Sequence, residues 1–378
     1  MLPADEDGTA IHNHMQPVFY DPSLPYDKNF ENGPVISHRP ISVPRRRLTH
    51  TYPFLDFQLN TPFGIPAGPL LNSSFVEAAF LLGFDVVHYK TQRSDPFPVN
   101  EFPNVLSVEI PGQLTPKLAE KPLIGRPVTD SPARELSITN SFGNPSKGPD
   151  FWQADMKKAL SYQGEGQLLI ASVVGTIKKH FTPGDYYKDF ALTALLARQA
   201  GAKVIEVNLS CPNVASEGVL CYSPEAVERI VRLTKEKIGD THLLMKLGYF
   251  TADQEDLLTD IVKRSLPFIS GIAAINTIAA PVIDEKGKQA LPGKGRLKSG
   301  ICGAGIREAG LDMIARLTRV RERLKAGFAI IGVGGVMSAR DFLAYRARGA
   351  DVVQSATGAM WNPDLGHEIW KELEEQHA

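Results

Sequence analysis

From Tyr52 onward the apolar positions fall into two textures: short runs rich in Val, Ile and Ala, and longer stretches whose apolar residues recur at helical spacing. The short runs occupy residues 62–67, 84–89, 168–173, 203–209, 242–247, 271–276, 329–332 and 351–354, so eight strands are predicted. Helical spacing fits residues 73–82, 185–200, 224–238, 253–265, 306–324, 339–348 and 363–375, the first beginning at a cap near Asn72 or Ser73. Strand, helix, strand with short links implies parallel neighbours. Eight such units predict an α/β fold of the (β/α)8 TIM barrel type. A doubly wound open sheet is the competitor. It would carry a glycine fingerprint after its first strand, and Gly64-Ile65-Pro66-Ala67-Gly68-Pro69 does not match one.

Two regions depart from this rhythm. Residues 1–50 are rich in Pro, His, Asn and Asp without a sustained apolar period, which predicts an extended N-terminal arm ahead of a barrel domain spanning 51–378. Within the arm, Pro44-Arg45-Arg46-Arg47 reads as a solvated basic turn, with a phosphate or partner contact as the functional alternative. Residues 91–167 form a long insertion after the second barrel strand, with a polar cluster, Thr-Asn-Ser-Phe-Gly-Asn-Pro-Ser, at 139–146. So long an excursion inside a regular fold predicts a lid or substrate loop.

Composition narrows the functional classes. The 378 residues carry a formal net charge of -1 and a pI near 6.8, which gives no general basic field for nucleic acid or an acidic membrane surface. Cys211, Cys221 and Cys302 are the only cysteines and form no C-x-x-C pair, so no disulfide framework, iron–sulfur cluster or zinc site is expected. A reducing cytoplasm fits this usage. No apolar stretch has signal-peptide or membrane-span length, and the chain reads as soluble.

If the barrel closes, the strand C-termini converge on one mouth. That brings together Ala67 and Gly68, Lys90 and Thr91, Asn208 to Asn213, Lys246, Asn276 and Thr277, Gly332 to Gly335, and Ser355 to Gly358. Two lysines, several amides and a thiol with few carboxylates favour an electron-rich, hydrogen-bonding ligand over a metal. The glycine-rich ends of the last two strands predict a phosphate site, because glycine lets backbone N–H groups approach an anion. Lys246 lies in an otherwise apolar strand and needs a partner, either a ligand oxygen or a structural carboxylate. The stretch Glu206-Val-Asn-Leu-Ser-Cys-Pro-Asn213 ends a strand in a thiol, two amides and a hydroxyl, an inventory with no packing purpose.

That stretch, with Phe-Asp-Val-Val-His-Tyr-Lys-Thr before it and Met-Lys-Leu, Ala-Ile-Asn-Thr and Gly-Val-Gly-Gly after it, resembles the dihydroorotate dehydrogenase family over roughly residues 52 to 376. The resemblance implies bound flavin mononucleotide (FMN) and oxidation of dihydroorotate to orotate in pyrimidine biosynthesis. By position, Ala67, Gly68, Lys90, Thr91, Asn140, Asn208, Lys246, Cys302, Gly303, Gly334, Gly335, Ala356 and Thr357 resemble flavin contacts. Lys90, Asn140, Asn208, Asn213, Asn276 and Thr277 resemble substrate contacts. Cys211 matches the catalytic base of the soluble class, where the quinone-using class has serine. It would take the C5 proton while a hydride passes from C6 to the flavin, since a thiol titrates nearer neutrality than a serine hydroxyl. The class implies fumarate, or NAD through a partner subunit, as electron acceptor, and a homodimer. Asn276-Thr277 also resembles dihydropyrimidine dehydrogenases, which makes uracil- or thymine-type substrates the runner-up. A non-redox barrel binding a phosphorylated ligand is the alternative outside redox chemistry.

Overall fold

A computed structural model describes residues 19–35, 50–128, 133–210 and 220–377. The described chain opens with a short helix, α1 (Tyr26–Asn32), and a hairpin of β1 (Tyr52–Phe54) and β2 (Phe57–Leu59). Then come β3 (Phe63–Ile65), α2 (Ser73–Leu81) and β4 (Val86–Gln92). A first excursion carries β5 (Ser107–Val108), α3 (Pro116–Ala119), β6 (Leu123–Arg126), β7 (Ser137–Asn140) and α4 (Pro149–Ser161). The regular alternation resumes with β8 (Leu168–Val173), α5 (Pro183–Gln199), β9 (Val204–Asn208), α6 (Pro224–Ile238), β10 (His242–Leu247), α7 (Glu255–Ser265) and β11 (Gly271–Ala274). A second excursion holds β12 (Ile278–Ile283) and β13 (Lys298–Gly303). The chain then runs through α8 (Arg307–Arg323), β14 (Ala329–Val333), α9 (Ala339–Ala347), β15 (Val352–Gln354), α10 (Thr357–Trp361) and α11 (Leu365–His377).

Strands β3, β4, β8, β9, β10, β11, β14 and β15 pair in that order, in parallel, and β15 closes on β3. This is the predicted (β/α)8 barrel. Side chains alternate across each strand, and the inward-facing set is layered. Val86, Leu168, Val204, Leu244, Ala329 and Val352 fill one end, which the hairpin residues Phe54 and Leu59 close as a plug. Two residues farther along, four of these strands carry His88, Glu206, Lys246 and Gln354, a buried polar group that Ser172 joins, while Ile170 and Ile331 continue the apolar interior. The outward-facing residues pack under the helices. On α6, Val227, Ile230, Val231, Thr234 and Ile238 recur at helical spacing and are buried on one face, while Ser223 accepts from Ala226 N to cap the start.

The two excursions meet. Strands β12, β13, β7, β5 and β6 form a second, closed five-stranded unit, with β13 antiparallel to β7 through Gly300↔Asn140 and Cys302↔Ile138. In the sequence the first insertion reads as a lid or substrate loop, and the second does not stand out. A two-residue strand such as β5 carries no periodicity of its own and exists through its partners. The predicted sixth strand also ends early, at Ala274, which leaves Asn276 and Thr277 in the loop leading to the second excursion. Within the region read as an extended arm, α1 forms, and Phe19, Tyr20 and Tyr26 are buried in the main core.

Candidate active site

A cavity opens at the C-terminal mouth of the barrel, beneath the second sheet. Its walls include Ala67 and Gly68 after β3, Lys246 on β10, Asn276 and Thr277 after β11, Gly334 and Gly335 after β14, and Ala356 and Thr357 after β15. The second sheet supplies Asn140 from β7 and Cys302 and Gly303 from β13. A smaller polar annex shares Ala67, Gly68, Asn140, Asn276 and Thr277, and adds Lys90, Thr91 and Asn208. The described residues assigned from sequence to cofactor and substrate thus line two adjoining spaces that share five wall residues. Cys211 and Asn213 lie outside the described residues, as do Arg45, Arg46 and Arg47 of the basic turn.

Local chemistry fixes these groups in place. Asn276 Nδ2 donates to Ser210 O (2.9 Å) and to Asn208 Oδ1 (3.3 Å), and Asn208 Oδ1 also accepts from Ser210 N (3.2 Å). The ends of β9 and β11 are thereby locked together. The Lys90 ammonium lies 6.0 Å from the centre of the Phe142 ring, at the outer reach of a cation–π contact. Gly303 holds φ +94°, and a Cβ there would sit 2.2 Å from Leu136 O. Gly334 and Gly335 follow one another at φ +130° and +67°, while Tyr345 Oη donates to Gly334 O at 2.5 Å. Successive N–H groups in such a loop make an anion-binding concavity. Ser355 does not face the cavity. Its hydroxyl donates to Val336 O (2.5 Å) and accepts from Ala359 N (3.2 Å), tying the last two strand ends together.

Burial sets the electrostatics. Burial lowers the Lys246 ammonium below its ordinary value, and Glu206 opposes that shift. For Glu206, burial raises the carboxyl, but His88, Lys246 and the Ser172 hydroxyl together outweigh it and hold the group below the usual carboxylate range. Burial pushes the Cys302 thiol up to about 11, with the Thr357 hydroxyl acting against it, so Cys302 is a neutral wall. Cys221, pushed up to about 12 by burial, is equally inert and lines neither space. Among the described residues no group of three or more His, Cys, Asp or Glu side chains is placed to hold a metal, and no helix is long and apolar enough to cross a membrane.

Several wall residues carried no sequence assignment, and three of them bear on the site. Tyr20, from the N-terminal segment, and Phe142 line the cavity with ring centres 5.2 Å apart in a T-shaped contact, and Asn144 lines the annex. Two buried arginines hold the 140–144 loop. Arg93 donates to Asn144 O (2.9 Å), Gly143 O (3.4 Å) and Gly175 O (2.6 Å); Arg296 donates to Ser141 O (3.0 Å) and Glu101 O (2.7 Å). The polar cluster at 139–146 signalled the loop, but nothing local in sequence ties it to residues 50 and 155 positions away.

The space fits a flat aromatic cofactor with a phosphate tail. The Lys246 ammonium lines it while only 5% exposed, and Thr357 Oγ1 is buried there without a hydrogen bond of good geometry. Paired glycines form the loop beside them.

Comparison with known proteins identifies relatives of the chain. The dihydroorotate dehydrogenase family profile matches residues 120–376. A dihydroorotate dehydrogenase of Dictyostelium discoideum is 35% identical over 353 residues, covering 91% of this chain and 94% of its own. The catalytic subunit of a Geobacter dihydroorotate dehydrogenase B (NAD(+)) is 26% identical, covering 74% and 85%, and a dihydroorotate dehydrogenase (quinone) of Bordetella pertussis is 27% identical, covering 84% and 83%. The chain belongs to the dihydroorotate dehydrogenase family of flavin oxidoreductases.

Proposed function

We propose that this protein oxidises dihydroorotate to orotate with FMN as its bound cofactor, as a step of pyrimidine biosynthesis. The observation that carries the reading is the pair of adjoining spaces that gathers a glycine loop, a buried lysine and an asparagine cluster at the barrel mouth. Gly334, Gly335, Ala356 and Thr357 would hold the phosphate; Ala67, Gly68, Cys302 and Gly303 would bound the ring; and Lys90, Thr91, Asn140, Asn208 and Lys246 would meet its polar edge. FMN, when bound, supplies the two-electron acceptance that desaturating a C–C bond requires.

The chain's own residues do the rest. The Lys246 ammonium offers fixed positive charge to the polar edge of the ring, where negative charge develops on reduction. Asn208 and Asn276, held by one shared network, present amide donors and acceptors to a ring that carries both N–H and C=O groups. Lys90, Asn140, Asn213 and Thr277 complete the substrate contacts. Cys211 takes the C5 proton, and the Lys90 and Lys246 charges favour its thiolate.

A thiol in that position goes with soluble enzymes that pass electrons to fumarate, or to NAD through a partner subunit. The test is a pair of anaerobic measurements on FMN-loaded protein. Dihydroorotate bleaches the flavin much faster than dihydrouracil or dihydrothymine. Cys211→Ala stays yellow and loses that bleaching at neutral pH. Preferential bleaching by dihydrouracil would move the substrate to the uracil type, and unimpaired bleaching of Cys211→Ala would remove the assigned base.

A further inference from the structure

The mechanism above uses Lys246 and leaves the buried polar layer beneath it without a role. That layer begins at Gln354. Its Nε2 donates to Val86 O (3.1 Å), which can only accept, so the same amino group donates to His88 Nδ1 (2.9 Å). The His88 proton is then on Nε2, 3.3 Å from Glu206 Oε2. On its other side, Glu206 Oε1 accepts from Ser172 Oγ (3.2 Å), which leaves Thr91 Oγ1 to donate to Ser172 Oγ (3.0 Å). His88, Ser172, Glu206 and Gln354 are at most 1% exposed. The Ser172 hydroxyl thus fixes Glu206 Oε1 and the His88 ring lies against Oε2, so the network orients the carboxylate.

The register shows where that charge acts. Glu206 on β9 pairs with Leu244 on β10, and Asn208 pairs with Lys246. Glu206 and Lys246 are therefore diagonal neighbours on the inner face of adjacent strands, within reach of long side chains. The titratable groups around Lys246 are Glu206 on β9, His88 and Lys90 on β4, Cys302 on β13 and Tyr20 of the N-terminal segment. Of these described groups, Glu206 alone is a carboxylate.

We propose that Glu206 is a positioning residue, the fixed counter-charge that keeps Lys246 protonated and directed at the cofactor, with His88, Ser172 and Gln354 holding the carboxylate in place. The proposal rests on the flavin reading above. Physically, an ammonium buried in the barrel interior sheds its proton readily unless an anion is near. Without Glu206, the site would lose its cation as pH rises and hold the reduced, negatively charged cofactor less well.

The test measures the preference for reduced over oxidised FMN by anaerobic titration against a reference dye, from about pH 6 to about pH 9. In Glu206→Gln that preference falls at the alkaline end on the order of tenfold relative to the parent protein, and recovers toward the acid end as Lys246 regains its proton. Glu206→Asp, which keeps the charge, follows the parent curve. His88→Gln, which loosens the carboxylate without removing it, shows the same alkaline fall at smaller size. This variant decides the matter if Glu206→Gln does not fold. Curves parallel to the parent in these variants overturn the counter-charge role while leaving the flavin reading intact. A parent protein that binds no FMN overturns both.

Discussion

Arg296 offers the deepest test of how the second sheet serves the site. Its guanidinium is 8% exposed and donates to Glu101 O, Pro103 O, Pro292 O, Ser141 O and Ser141 Oγ, joining both excursions to the loop between Asn140 and Phe142. Arg296→Ala removes every one of these donors at once. Asn100 and Asn104 still donate to Ser141 O (3.2 and 3.1 Å), so that carbonyl stays satisfied, whereas Pro292 O loses its guanidinium donor. Hydrogen bonds from a charged donor are worth roughly 1.5 to 3 kcal/mol each but are not additive, and a buried acceptor left bare costs about 1 to 3 kcal/mol. The expected loss of stability is about 3 to 5 kcal/mol.

A functional consequence follows, because Asn140 and Phe142 flank the freed Ser141 and both line the cavity. The loop then samples positions in which the Asn140 amide misses the substrate, so KM for dihydroorotate rises several-fold while kcat falls less. Arg296→Lys recovers little of this, since an ammonium cannot reproduce the fork that reaches three segments. Equilibrium denaturation with steady-state kinetics measures both effects. A stability loss under about 1 kcal/mol, or a destabilised variant with unchanged KM, refutes the claim that this guanidinium sets the substrate loop.

Three further outcomes are expected. Burial raises the Asp85 carboxyl to about 6 against the hydrogen bonds from Thr61 and Gln167. The fold therefore favours the protonated form, and the contribution, full below about pH 4, is lost as pH rises through about 6, a change of roughly 2 to 3 kcal/mol. Asp85→Asn removes that fall from a denaturation series taken across the same range. Gly303→Ala would place a methyl 2.2 Å from Leu136 O at φ +94°, so it loses about 2 kcal/mol or more in unfolding experiments and weakens FMN binding in a fluorescence titration. Tyr20→Phe leaves stability nearly unchanged because the buried hydroxyl has no hydrogen bond of good geometry, whereas Tyr20→Ala deletes the ring contact to Phe142 and raises KM for the substrate.

The barrel was legible because its strands are buried on both faces. An apolar run such as Leu168–Val173 announces itself in any context, and with all eight strands placed in chain order the topology carries Lys90, Lys246 and Gly334 to one mouth. The second sheet was not legible, because its strands of two to six residues, interrupted by Gly and Pro, depend on each other and on pairing between the two excursions, as Ile138 pairs with Cys302. Helix α4 hid in the same excursion: Trp152, Met156 and Ala159 form its buried face, a stripe too narrow to stand out among prolines and glycines. At the site, the residues around the mouth were readable and the buried polar layer beneath it was not. His88, Ser172, Glu206 and Gln354 interrupt apolar runs at alternating positions, a signal visible in retrospect, but only closure of the barrel shows that the four meet. Phe142 and Tyr20 look like ordinary core residues in sequence, and only the fold turns them toward the cavity.

The central claim is that this cavity binds FMN and delivers dihydroorotate's electrons to it. The most direct measurement is an anaerobic stopped-flow experiment on purified protein loaded with FMN, following the oxidised-flavin absorbance after mixing with dihydroorotate. The protein is expected to be yellow with one FMN per chain, to bleach within the mixing experiment and to yield orotate in equal amount. A protein that stays colourless with added FMN, or a yellow one that dihydroorotate leaves oxidised, contradicts it.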